Sequence, residues 1–99
     1  MKDLCLATGQ VMPLVWRENT KQLEKWGIQD HEPFTWLAFA TEELGETSQA
    51  ISEWLYRGGD SSQVVKEAIQ TATLMLKIAE MFQALRAIED NQAVMGAQE

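Results

Sequence analysis

The sequence has few of the residues that break helices or staple small domains, with two prolines and a single cysteine among 99 residues. One cysteine excludes an internal disulfide, and Cys5, close to a terminus, is assigned no chemistry. Basic residues are also scarce: eight Lys and Arg stand against fifteen Asp and Glu, for a formal net charge of -7. No basic run interrupts this acidity, which argues against a nucleic-acid polymer or an anionic membrane as partner. An anionic substrate would have to arrive with a cation. No segment approaches the ~18 apolar residues of a membrane span, and the N-terminal residues have neither the basic cluster nor the apolar run of a signal peptide. A cytoplasmic protein is expected. β-type alternation, internal repeats and low-complexity tracts are missing as well.

What remains is helical periodicity in one domain, residues 1–99, with loose ends over about 1–10 and 90–99. Met12, Val15, Trp16, Leu23 and Trp26 recur at helical spacing, with Pro13 suited to a first turn and Gly27 to a C-terminal cap. Gln29-Asp30-His31-Glu32-Pro33 reads as a polar connection. A second helix is expected from an N-cap at Thr35 to about Arg57, where Gly58-Gly59 stops it, and Asp60 or Ser61 caps a third from Ser62 to about Ile88. Gly45 inside the second helix costs roughly 1 kcal/mol relative to alanine, which suggests close approach of another backbone or a ligand. The third helix is apolar on two faces, since Val65, Ala68, Ile69, Ala72, Leu76 and Ala79 lie beside the face that carries Leu74 and Ile78. One neighbouring helix cannot cover both. The expected fold is all-α, an antiparallel bundle of three main helices completed by oligomerisation into a dimer or larger.

Two short motifs carry the chemistry. Glu43 and Glu46 lie three apart on the second helix, and Glu67 and Gln70 repeat that spacing on the third, with 20 residues between the pairs. On a helical wheel Glu43 falls among Trp36, Ala40, Thr47, Ala50 and Trp54, and Glu67 among Val64, Leu74, Ile78, Met81 and Leu85. Both glutamates therefore point toward the core. Carboxylates there would repel and neutralise one another unless a cation held them ionised. Three carboxylates and an amide are hard oxygen ligands, which fit Mg²⁺ and also Mn²⁺ better than zinc. A carboxylate-bridged iron centre would want histidine on its helices, whereas the only histidine, His31, lies in a connection. Mg²⁺ keeps coordination positions open to water and phosphate oxygens, so the motif suits phosphoryl or pyrophosphoryl transfer.

In this order and spacing, the motifs resemble the MazG-like all-α nucleoside triphosphate pyrophosphohydrolases, over roughly residues 17–82. Lys21-Gln22, Lys25-Trp26-Gly27, Gln29, His31 and Trp36-Leu37 are similar to a small single-domain bacterial and phage branch of that family. Gln70 departs from the aspartate of the better-characterised members, although that branch often carries glutamine there. The resemblance implies an Mg²⁺-dependent enzyme, dimeric or tetrameric, that converts a nucleoside triphosphate to its monophosphate and pyrophosphate. Glu43, Glu46, Glu67 and Gln70 would hold the metal, and Glu42 or Glu46 would deprotonate the attacking water. Lys25, Trp26 and His31 would form the base pocket, and Lys77 would reach phosphate. Because an amide brings no charge, a catalytically weak helical dimer that binds nucleotide or a protein partner is the alternative expectation.

Overall fold

The computed structural model describes residues 1–6 and 9–98 and contains three helices, α1 (Val11–Trp26), α2 (Pro33–Arg57) and α3 (Ser61–Gln98). There are no strands among the described residues, and no helix is long and apolar enough to cross a membrane. The expectations for the chain ends touch residues 7, 8 and 99, which lie outside the described ones. Gly27 ends α1 with a positive φ, and its N–H donates to the Leu23 carbonyl at 2.8 Å. Gly58 closes α2 in the left-handed region (φ 69°), where a side chain would be strained. The next glycine answers a different need. A Cβ on Gly59 would stand 2.9 Å from the Glu53 carbonyl carbon, so the reversal into α3 leaves no room for a side chain. Asp60 caps α3 as expected, its carboxylate accepting from the Ser62 N–H (2.9 Å) and hydroxyl (2.7 Å).

Three expectations are corrected. Thr35 is not the N-cap of α2. Glu32 is, because its carboxylate accepts from the Thr35 N–H (2.6 Å) and hydroxyl (2.9 Å) while Pro33 occupies the first turn without a donor to lose. These bonds hold the Glu32 carboxyl below its ordinary pKa. Secondly, α3 does not stop near Ile88. Glu89, Gln92, Ala93 and Met95 are good helix formers and Arg86 pairs with Asp90 one turn on (3.8 Å), so no glycine or proline before Gly96 interrupts the helix. Thirdly, among the described residues no other part of the chain lies within 4 Å of the Cβ position at Gly45, so no backbone of the same chain makes the expected close approach. With no close approach to preserve, Gly45→Ala is expected to stabilise the chain by about 1 kcal/mol, read as a rise in Tm. A fall in Tm would show that this surface of α2 is covered in solution.

The helices are arranged around α3. α2 runs antiparallel to it, whereas α1 runs parallel, since Leu14 and Lys21 face the Val65 region and Gln22 meets Lys77. α1 and α2 do not pack on one another. The result is an open arrangement of 65 × 30 × 22 Å, with a Cα radius of gyration of 17.6 Å where a compact chain of this length would have about 13 Å. Its core is thin. Trp36, Ala40 and Leu74 bury against each other with Phe39 and Ile78 at their edge, and Val15 is the one buried apolar residue of α1.

Candidate metal centre

A pair of threonines meets across the seam between the helices that carry the acidic motifs. Thr47 donates to the Glu43 carbonyl and Thr71 to the Glu67 carbonyl, each at 2.9 Å and each from four residues downstream. The two hydroxyl oxygens then lie 3.3 Å apart across the α2–α3 seam. Because the helices are antiparallel, Glu43 and Glu67 lie on opposite sides of that contact along the seam, and it is the reach of their long side chains that brings the carboxylates together. The sequence reading placed Thr47 in the arc but missed Thr71 as its counterpart. The available signal was a threonine four residues after each glutamate.

Glu43, Glu46 and Glu67 each offer a carboxylate oxygen within 4.8 Å of the others. Ligands on opposite sides of Mg²⁺ stand about 4.2 Å apart, given metal–oxygen distances near 2.1 Å. Only a small inward turn is needed, and Glu46, the exposed member, is free to make it. Gln70 completes the group. Hydrogen bonding orients its amide nitrogen toward the carboxylates, where it donates to Glu43 Oε2 (2.8 Å) and Glu67 Oε2 (3.0 Å). Turned over, the same amide presents its oxygen at this position, as expected of a carbonyl ligand. Glu43 is pushed up to about 7, first by partial burial, then by its hydrogen bond to Glu67 and the neighbouring charges of Glu46 and Glu67. Glu43 therefore keeps its proton up to near neutrality, as expected of a carboxyl that converges with others without a counter-charge.

The cluster opens into a groove of about 400 Å³ running toward the Gly58-Gly59 turn, with Glu46, Glu53, Asp60 and Glu67 among its walls. No lysine or arginine lines it. A bare anion would be repelled there, and one accompanied by a divalent cation would not.

The other expected site residues do not gather here. Glu42 is exposed and lies about 100° around α2 from Glu43, which leaves Glu46 as the base candidate within the cluster. The anticipated base pocket is split. Lys25 holds its ammonium 4.8 Å from the centre of the Trp26 ring, and that ring is 60% exposed at the end of α1. His31 instead meets the edges of Trp36 and Phe39, each at 5.2 Å between centroids, and its Nε2 is buried without a hydrogen-bond partner among the described residues. Two consecutive aromatics on the core face of α2 outcompete Trp26 for the imidazole. Lys77 is bound to Gln22 on α1, and partial burial lowers its pKa. It ties α1 to α3 rather than facing the groove. Comparison with protein-family models, curated proteins and solved structures returns no match.

Proposed function

We propose that the chain is an Mg²⁺-dependent nucleoside triphosphate pyrophosphohydrolase, with Mn²⁺ as a possible substitute, acting in nucleotide-pool housecleaning as a dimer or tetramer. The supporting observation is the convergence of Glu43, Glu46 and Glu67 at the head of a groove lined by carboxylates. The resemblance to MazG-like enzymes gives this geometry a specific reaction, cleavage between the α and β phosphates. Glu43 and Glu67 would hold the cation, and Glu46 would either join them or accept the proton of the attacking water. When bound, Mg²⁺ neutralises phosphate charge and acidifies water. The water oxygen forms the new bond to the α phosphorus, the bond to the bridging oxygen breaks, and pyrophosphate leaves with the bond's electrons.

The neutral amide of Gln70 favours a second reading, a nucleotide- or protein-binding helical dimer with weak or no turnover, because it brings no charge to a cation and can hydrogen-bond two carboxylates that a metal would need. A pyrophosphate-release assay across standard and damaged nucleoside triphosphates, with and without Mg²⁺, separates the two. Release that requires Mg²⁺ is expected. Mg²⁺-dependent nucleotide affinity without release would support the binder, and neither release nor affinity would defeat both. Within the enzyme reading, Gln70→Glu restores the missing charge at nearly constant length and is expected to keep activity while moving half-maximal Mg²⁺ to lower concentration. An unchanged Mg²⁺ titration would remove Gln70 from the ligand set.

A further inference from the structure

Around α3, two of three equally spaced sides are occupied. With ~100° per residue and Glu67 at the origin, α2 covers the side centred there and α1 the side about 120° away, through Ile69, Thr73 and Lys77. The third side carries Ala68, Met75, Leu76, Ala79 and Phe82, with no helix over it among the described residues, and Val65 stands at its border with α1. All five are exposed, the three large ones by 46–47%. Farther along, the same side continues through Gln83, Arg86, Asp90 and Ala93 on the part of α3 that outruns its own bundle: α3 has 38 residues and α2 only 25. A compact monomer of 11.2 kDa exposes about 5,700 Å². This chain exposes 8041 Å². The excess, about 2,300 Å², falls within the roughly 1,000–2,500 Å² that each copy contributes to an obligate interface.

We infer that this third side is the docking surface for α3 of a second copy, packed antiparallel with the two-fold axis at Ala79. The inference rests on the oligomeric part of the reading above and adds a face, a direction and a register to it. It does not depend on the nucleotide chemistry. Side-chain size gives the register, because Ala79, a small residue at the centre of this side, permits the closest crossing there, and each overhang then lies on the other's N-terminal half. Size and charge give the direction. In the antiparallel register Asp90 faces the partner's Ala68 and Arg86 its Ala72, so long side chains meet short ones, Phe82 meets the partner's Leu76 as an apolar pair, and every Arg86–Asp90 pair stays intact. A parallel pair would set Arg86 on Arg86 and Asp90 on Asp90, with alanine on alanine leaving gaps between them. Antiparallel helices also oppose their dipoles. The metal cluster, on the α2 side, stays open.

Disulfide trapping in a Cys5→Ser background tests this. Ala79 is the position that faces itself, and helices packed at about 8 Å bring such Cα atoms within disulfide reach. Under mild oxidation A79C is expected to give a covalent dimer. A68C and D90C should each remain uncrosslinked alone, and should form a mixed dimer when combined. Self-crosslinking of A68C or D90C as efficient as that of A79C would show parallel pairing and overturn the inference, as would a dimer in which A79C never links. Sedimentation of the unaltered chain is expected at twice 11.2 kDa. A stable 11.2 kDa species at all concentrations would sink both the register and the oligomeric reading, while pyrophosphate release would still judge the chemistry separately.

Discussion

Replacing Glu67 by glutamine is expected to lower pyrophosphate release at least ~100-fold, since even residues that merely support a metal ligand cost 10–100-fold when removed. Glu67 is the carboxylate that α3 supplies to the cluster, and it also accepts the Gln70 amide. No neighbouring side chain on α3 can replace it, because Gln63 and Gln70, one turn to either side, are neutral. The substitution keeps shape and removes only charge, so the fold should survive, and an unchanged far-UV spectrum would confirm that. If Glu67→Gln retains the parent rate, the cluster is not the reacting centre. If Glu42→Gln proves as damaging as Glu46→Gln, the base lies outside the group that the fold brings together.

The acidic centre was legible because its signal is local. Glutamates at core-facing positions of two helices, joined by a glycine reversal of fixed length, have few ways to avoid one another. Gly58 and Gly59 had equally local signatures. The base pocket was not legible in the same way. Lys25, Trp26 and His31 are close in sequence, but the Gly27 cap ends α1 between them, and His31 finds Trp36 and Phe39 ahead in the chain instead. Sequence proximity across a helix end carries little information about contact. The length of α3 was missed for another reason: after Ile88 the apolar residues are sparse, so periodicity fades, while helix propensity alone carries the helix onward. The two-faced apolar pattern of α3 was read correctly as more than one neighbour can cover. Which side α1 takes and which it leaves could not be read from the pattern, because Ile69 and Leu76 are equivalent to it until the packing separates them.

The stability of the cluster without metal is expected to fall as pH rises from about 4.5 to about 7. Glu43 titrates near 7 in the folded chain and at 4.5 as a free side chain, so across that window the folded state holds a proton that the unfolded state has released. Stability therefore decreases with rising pH there and levels off above the folded value. Glu43→Gln removes the ionisation while keeping the volume. It should raise Tm at pH 8, leave it unchanged at pH 4, and flatten the dependence between. Mg²⁺ supplies the opposite compensation. Because it binds the ionised cluster, millimolar Mg²⁺ is expected to raise the Tm of the parent chain at pH 8 and to raise it less at pH 5, where a proton occupies Glu43. In Glu43→Gln the gain from Mg²⁺ should shrink, since one charged ligand is lost. A Tm that Mg²⁺ and Mn²⁺ leave unchanged at pH 8, alone and with a nucleoside triphosphate present, would show that the carboxylates repel without binding. An Mg²⁺ gain undiminished in Glu43→Gln would move the cation to Glu46 and the outer groove.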